Sequence, residues 1–498
     1  MMSLRFPRFL VVPVLLFAFQ SVKTQTADAP SSGDGTSGAP YQIATLNNLY
    51  WITQNSAEWS KYFIQTANID ASSTSSWDGG NGFTPIGSNA TSFTGSYNGQ
   101  DFSISGLTIA RSSTDYVGLF GFISNGVVSN VLMTGASVSG ASYVGGIVGF
   151  STGSGSAQIT GCSVAGSVTG TTAHIGGVIG KTQAGTTVTE CFSTATVSST
   201  SGNNLGGFVG YHDQSSSITK SYSRGNVNSP NGDHVGGFVG TMGNGATITN
   251  CYASGSASSY NRAGGFAGSK SSGTISNCYS TGAAAIDGGS TVGGFIALNA
   301  GTVSASFWDT QTSGNASSAA GTGKTTSEMK TSSTFTDAGW DLSSTWEIVG
   351  MNFPRLQANQ DGALPVELSK FSVIPTVDGV VLRWATASEQ DNLGFDVERS
   401  YVTDRHGDSF RRWHRIGFVE GIGSTNAPQE YSFIDRSSRG RAMYRLKQLD
   451  RDGGFTHSVE VTVTSLPGPE GFTLFENYPN PFNPSTKCDR TTSGDARQ

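Results

Sequence analysis

Between Val117 and Ala297 one pattern of apolar and small residues recurs seven times. It reads Val117-Gly-Leu-Phe-Gly121, Val144-Gly-Gly-Ile-Val-Gly149, Ile175-Gly-Gly-Val-Ile-Gly180, Leu205-Gly-Gly-Phe-Val-Gly210, Val235-Gly-Gly-Phe-Val-Gly240, Ala263-Gly-Gly-Phe-Ala-Gly268 and Val292-Gly-Gly-Phe-Ile-Ala297. The first glycines stand at 118, 145, 176, 206, 236, 264 and 293, so the steps are 27, 31, 30, 30, 28 and 29 residues. A second phrase follows each: Ile159-Thr-Gly-Cys162, Val188-Thr-Glu-Cys191, Ile218-Thr-Lys-Ser221, Ile248-Thr-Asn-Cys251 and Ile275-Ser-Asn-Cys278. Val128-Ser-Asn-Val131 and Val303-Ser-Ala-Ser306 are its worn ends. Apolar and polar residues alternate in these phrases, which is the period of a strand, and Ser/Thr/Asn/Gly runs between them supply turns.

One such unit cannot bury its apolar side alone; stacked on its neighbours it builds a continuous core. Parallel stacking sets equivalent residues about 4.8 Å apart. Val144, Ile175, Leu205 and Val235 then form one internal ladder, and Ile147, Val178, Phe208, Phe238, Phe266 and Phe295 another. Glycines in these phrases fit sharp bends or close backbone approach. The expected fold is all-β, a right-handed parallel β-helix (solenoid) over residues 41–357, with repeats over 117–310 and a leading and a closing segment. A β-propeller fits less well, because its blades are typically about 40 residues or longer.

Past Leu364-Pro-Val-Glu-Leu368 the repeat stops and charged residues become frequent. Runs at 371–374, 380–384, 394–398, 415–419, 431–434, 444–449 and 459–463 alternate between turn residues. This spacing predicts a small β-sandwich over 364–465.

The N-terminus changes the compartment. Arg5 and Arg8 precede an apolar run, Phe9 to Phe19, which is too short to span a bilayer and reads as a signal peptide over residues 1–25. Residues 26–40, with Pro30 to Pro40, read as a flexible spacer. No later stretch reads as a transmembrane segment. Charged residues make up 13% of the chain and the net charge is −6, which excludes a clustered basic nucleic-acid footprint. The expectation is an exported protein, extracellular or on the outer cell surface.

Candidate chemistry is sparse. Cys162, Cys191, Cys251 and Cys278 share one repeat position, with Ser221 and Ser306 in the same slot. Two readings stay open: a buried ladder of small side chains, or disulfides between adjacent coils, whose spacing falls in the bridging range. Zinc is not expected, since no CxxC occurs and no histidine is in phase with the cysteines. Gly321-Thr-Gly-Lys-Thr-Thr326 lacks the first glycine of a P-loop, Ser318 standing there, and reads as a turn. His174 and His234 share a slot with Tyr116, Tyr143, Asn204, Arg262 and Thr291, a mixed column that reads as an exposed face. Asp450-Arg-Asp452-Gly-Gly reads as a hairpin turn rather than a calcium loop. Asn68, Asp70 and Asp78 have no convergent partners in sequence. Asp115, Glu190, Asp213, Asp233 and Asp287 are scattered in phase, whereas glycoside chemistry needs paired carboxylates on one face. No catalytic residue, cofactor or metal site is assigned.

The repeated phrases resemble the GLUG repeat of bacterial surface proteins. Tyr41 to Leu49, Trp77 to Gly87, Phe93 to Gly99 and Ile104 to Ile109 are similar to the segment that precedes such repeats, and Phe307-Trp308-Asp309 with Gly323 to Trp346 to the segment that follows them. The 364–465 region resembles the fibronectin type III-like module that acts as a spacer in secreted Bacteroidetes-type proteins. Phe472 to Thr486 resembles the start of the type IX secretion sorting domain, with Tyr478, Pro479, Asn480, Pro481, Phe482, Asn483 and Pro484 as its motif. That family continues as a further small β-sandwich, whereas Lys487 to Gln498 resembles nothing in it. Residues 470–498 are therefore expected to be a truncated sorting signal with an anomalous tail. The resemblance implies export through the type IX machinery where the tail is intact.

It also implies a non-catalytic, adhesin-like protein that displays ligand-binding loops, its partners being extracellular glycans or surface and matrix proteins. The competing reading is a β-helix polysaccharide lyase or glycoside hydrolase. GLUG repeats also accompany IgA-specific metallopeptidases, but no HExxH occurs in this chain.

Overall fold

The structure is a computed structural model. It describes residues 25–153, 155–289, 291–348 and 353–357, and in the C-terminal part 368–376, 378–386, 389–401, 413–425, 429–437, 441–450, 455–458, 460–463, 473–474 and 490–491. The apolar run Phe9 to Phe19 and the motif Tyr478 to Pro484 lie outside the described residues.

Residues 41–324 wind into a parallel β-solenoid. Each full coil visits four sheets in turn. One coil runs through Val148–Thr152, Gln158–Thr160, Ser163–Gly170 and Ala173–Gly176 before the next begins at Ile179–Thr182. The sheet holding Gln158–Thr160 has ten strands, from Tyr41–Ile43 to Thr302–Ser304. The leading segment is thus part of the solenoid: Tyr41 pairs with Phe63, Phe63 with Tyr97 and Tyr97 with Val128.

Register follows the repeat. Val144 pairs with Ile175, Ile175 with Leu205, Leu205 with Val235 and Val235 with Ala263. Ile159, Val188, Ile218, Ile248 and Ile275 make a second buried ladder. Phe208, Phe238, Phe266 and Phe295 make a third, all fully buried and stacked at 4.8–4.9 Å between centroids. Burying a phenylalanine contributes about 1.5–3 kcal/mol, and each aromatic pair adds about 0.5–1.5 kcal/mol.

The glycine phrase has a separate steric reason at each position. A Cβ on Gly206 would lie 2.1 Å from the Val209 carbonyl oxygen of its own glycine phrase. One on Gly207 would lie 2.2 Å from the Gly237 oxygen of the next glycine phrase, and one on Gly210 would lie 2.4 Å from the Ile175 nitrogen of the preceding phrase. None of the three has positive φ; close backbone approach, not turn conformation, requires glycine here.

The corners impose the opposite demand. Tyr116, Tyr143, His174, Asn204 and His234 all sit at φ between +57° and +62°, directly before the glycine phrase. Asn130, Glu190, Lys220, Asn250 and Asn277 sit at φ between +48° and +56° before the cysteine column. Positive φ is uncommon for non-glycine residues, and the inter-coil hydrogen bonds on both sides hold it in place.

Two expectations change. Residues 26–40 are not a free spacer: Asp28 N–H donates to the Asn47 carbonyl, Gln42 N–H to Ser32 and Tyr62 N–H to Gly35, while Asn47 Nδ2 donates to Asp28. This segment lies on the first coil, where unpaired backbone groups would otherwise be left. Gly321 to Lys324 is not a turn, because Thr322–Lys324 is a strand parallel to Phe307–Asp309.

The closing segment folds back along the outside. Phe192, Tyr222, Tyr252 and Tyr279 form an outward ladder with centroids 4.7–5.0 Å apart. Met329, Phe335, Trp340, Trp346 and Leu356 pack against its later rungs. Tyr279 Oη donates to the Pro354 carbonyl (2.6 Å), Trp340 Nε1 to Ala305 (2.8 Å) and Trp346 Nε1 to Asn250 Oδ1 (3.1 Å).

Beyond the solenoid the strands are antiparallel. Leu368–Thr376, Gly379–Thr386 and Gln429–Asp435 form a three-stranded sheet. Glu389–Tyr401, His414–Thr425, Ala442–Asp450, Phe455–His457 and Val461–Val463 form a five-stranded one. Val380, Leu382 and Trp384 of the first share an apolar cluster with Phe395, Val397, Tyr444 and Leu446 of the second. Pairing of Leu449 with Phe455 matches the hairpin expected at Asp450 to Gly454, whose tip lies outside the described residues.

Candidate display surface

The cysteine column faces inward. Cys162, Cys191, Cys251 and Cys278 are fully buried free thiols. Cys162 N–H lies 3.3 Å from Cys191 Sγ, and Cys191 Sγ donates to the Thr189 carbonyl. Ser221 and Ser306 take equivalent roles, accepting from Cys191 N–H and Cys278 N–H at 3.2 Å. Burial, with the neighbouring cysteine, pushes the Cys191 and Cys251 thiols well above the ordinary range, so neither is a nucleophile.

The residues that reach outward in register are those of the corner column and of the strand beside it. Tyr116 stacks on Tyr143 with centroids 4.8 Å apart and planes at 3°, and Tyr143 meets His174 at 5.0 Å. Alongside, Phe122 stacks on Phe150 at 4.7 Å, and Phe150, Lys181, Tyr211 and Thr241 continue in register. The two columns touch edge-on, Tyr143 against Phe150 at 5.5 Å and 85°. Ring faces are therefore covered by neighbours along the axis, and ring edges and polar tips face outward.

This column is half-buried rather than fully exposed, which corrects the expectation from sequence: side chains locked at the αL corners pack on the rungs above and below. His174 Nδ1 lies 3.2 Å from Asn204 Nδ2, and Thr241 Oγ1 donates to Asn204 Oδ1 at 2.6 Å. Burial, then the Lys181 charge, holds His174 down to about 4. His234 is not joined to it. Arg262 Nη1 lies 2.6 Å from Asp233 Oδ2 and 3.0 Å from His234 Nε2.

The carboxylates stay separate. Asp115 accepts from Ser142 N–H, Glu190 faces Lys220 at 3.7 Å and Asp233 pairs with Arg262. Asp213 Oδ2 lies 3.9 Å from Lys181 Nζ. In the leading segment Asn68 accepts from Ser103 N–H, Asp70 from Ser72 N–H, and Asp78 pairs with Arg111 at 2.8 Å. Each carboxylate of the repeats thus faces a cation or a backbone donor, or stands exposed (Asp287), rather than another carboxylate. Among the described residues no group of three His, Cys, Asp or Glu is placed to hold a metal ion.

Comparison with known proteins matches two segments of the repeat to a family. The family model of the GLUG motif matches residues 201–228 and 231–258. These GLUG repeats are two successive coils, each carrying the glycine phrase and the phrase that leads to Ser221 or Cys251. Halomucin of Haloquadratum walsbyi is 42% identical over 166 residues, which is 32% of this chain and 2% of that protein. A putative Gly-rich membrane protein of Evansella cellulosilytica is 35% identical over 127 residues, 25% of this chain and 14% of that protein. The chain thus spans a small part of either relative. Among the described residues, no helix is long and apolar enough to cross a membrane.

Proposed function

We propose that this protein is an exported, non-catalytic surface protein, adhesin-like in action, whose GLUG solenoid displays side chains to extracellular glycans or to surface and matrix proteins. The observation that carries this reading is the in-register outward strip from Tyr116 and Phe122 to Arg262. It offers polar tips at a regular coil spacing, the arrangement that suits many weak, repeated contacts. The two antiparallel sheets over 368–463 act as a β-sandwich spacer of the fibronectin type III-like kind. The halomucin and membrane-protein names of the relatives agree with a surface location. Type IX export is proposed only for a chain whose sorting domain continues past the Tyr478 to Pro484 motif.

The test is a binding screen of the chain against glycan arrays and immobilised matrix proteins. Saturable binding that weakens when Tyr143 and Asn204 are replaced by alanine supports the display role. Binding to none of these surfaces, or cleavage of a polysaccharide on incubation, overturns it.

A further inference from the structure

The three-stranded sheet beyond the solenoid carries a trough on its outer face. Alternation turns Val380, Leu382 and Trp384 into the apolar cluster and leaves Val381, Arg383 and Ala385 on the opposite side. Pairing extends these three into rows across the sheet. Lys370, Ala385 and Glu430 form the first row, Ser372, Arg383 and Ser432 the second, and Ile374, Val381 and Ile434 the third. In the first row a small side chain on the central strand lies between two long ones, whose strands are about 9–10 Å apart. The surface therefore dips over Ala385. A cavity of about 440 Å³ occupies the dip, lined by the first two rows and by Ile374. That volume falls within the range of small-ligand sites, about 300–1,000 Å³. Lys370, Arg383, Glu430 and Ser432 are exposed, so the trough opens to solvent.

Its lining is charged but not self-paired. Lys370 is a diagonal neighbour of Arg383 on one side, and Glu430 on the other. Side chains of this length are able to close over the trough as ion pairs, yet none of the three forms one with any described residue. Ser372 Oγ donates to the Arg383 carbonyl at 3.3 Å, which leaves its lone pairs to accept. Ile374 and Ile434, each 44% exposed, continue the trough as an aliphatic sill.

We propose that this trough binds an acidic saccharide, an oligosaccharide containing uronate, so that the sandwich is a second binding surface as well as a spacer. The uronate carboxylate lies against Arg383, whose planar fork takes both oxygens, and against Lys370. Ring hydroxyls donate to Glu430 and Ser372. The C–H face of the adjoining ring lies on the aliphatic row. A neutral sugar leaves the charges of Arg383 and Lys370 unmatched, and a polycarboxylate without hydroxyls sets like charge against Glu430. Each contact is solvent-exposed and individually weak, so binding falls as salt rises. This surface is separate from the Tyr116 to Arg262 strip, and either can fail alone.

The full chain is titrated with an oligogalacturonate, with a malto-oligosaccharide as the neutral arm and an oligoglutamate as the purely anionic arm. Thermal unfolding is measured in parallel. Arg383→Gln removes the central charge, and Ala385→Tyr fills the trough. Both positions face outward, so Tm should match that of the wild type. The expected result is oligogalacturonate binding that weakens about tenfold in each variant, from loss of a charge-assisted hydrogen bond or of the space itself, and that is unchanged by Tyr143→Ala with Asn204→Ala. A fall in Tm confined to Ala385→Tyr leaves Arg383→Gln to decide. No binding of oligogalacturonate, equal binding by wild type and Arg383→Gln, or equal or tighter binding of the other two probes overturns the acidic-saccharide site. The display strip stands or falls separately, on the Tyr143 and Asn204 variants.

Discussion

The Phe208 and Phe238 rings lie parallel one coil apart, with centroids 4.8 Å apart and planes inclined by 2°. Phe266 continues the stack at 4.9 Å, so Phe238 has an aromatic face on each side and no exposure. Phe238→Ala removes both contacts and leaves a cavity in the middle of the array. The expected loss is about 3–5 kcal/mol by denaturant unfolding. In a stacked array that loss is greatest between the coils that meet there, so hydrogen exchange should quicken first around 205–240.

Gly207 and Gly243 differ in what surrounds them, and alanine at each should separate the cases. A Gly207 Cβ would strike the backbone oxygen of Gly237 at 2.2 Å, which cannot move without parting two coils. The three atoms nearest a Gly243 Cβ are side-chain oxygens, at 3.0–3.4 Å. Gly207→Ala should cost about 3 kcal/mol or more, and Gly243→Ala less than about 1 kcal/mol, by equilibrium unfolding. Equal costs would show that coil spacing is not set by the glycine phrase.

His212 should make stability depend on pH. Its Nδ1 lies 2.7 Å from Thr182 Oγ1 and its Nε2 3.0 Å from the Thr247 carbonyl, an arrangement met by a neutral ring that accepts at Nδ1 and donates at Nε2. Burial pushes its pKa down to about 4, from an ordinary value of 6.5. Between these values the unfolded chain binds the extra proton, so stability rises with pH through the window and is lost as pH falls from about 6.5 towards 4. His174, also held down to about 4, acts in the same direction. Met242 is the in-register neighbour of His212, so methionine suits the column. His234 and His457 are also held below their ordinary value by burial, so His212→Met should reduce the slope of unfolding free energy between pH 6.5 and 5 without abolishing it.

The cysteine column should be silent until the fold opens. Cys162, Cys191, Cys251 and Cys278 should resist iodoacetamide in the native protein and react fully in denaturant. Mass spectrometry of labelled peptides reads the difference. Failure of a pair to label after denaturation without reductant would reveal a disulfide. Cys191→Ser and Cys251→Ser should each cost no more than about 1–2 kcal/mol, since Ser221 and Ser306 already hold the same position with the same backbone contacts.

The ladders of Val144, Phe208 and Ile159 were legible because in-register parallel stacking places residues one period apart in contact. The strands at 380–384, 394–398 and 444–449 were legible from alternation alone. The αL corners were not: tyrosine, glutamate and lysine have no local preference for positive φ, and inter-coil hydrogen bonds impose it. Nor was the role of the closing segment. Met329, Phe335, Trp340 and Trp346 look like any apolar residues in a tail, and their target, the Tyr252–Tyr279 ladder, is one outward column among several. Asp213, Gly243 and Ser271 share one repeat position, at steps of 30 and 28 residues, so their adjacency was legible; the reach of the Tyr211 side chain across to Gly243 was not.

The sequence by itself determined the repeat, the coil register, the inward columns and the change of architecture after the solenoid. Each follows from periodic identity, and in a stacked array periodicity is contact. Only the tertiary structure decided which outward residues meet across turns, because those contacts depend on where each corner aims its side chain. That is why the Phe208–Phe238 stack could be read from the chain, whereas the packing of Trp340 and Trp346 on the Tyr252–Tyr279 ladder could not.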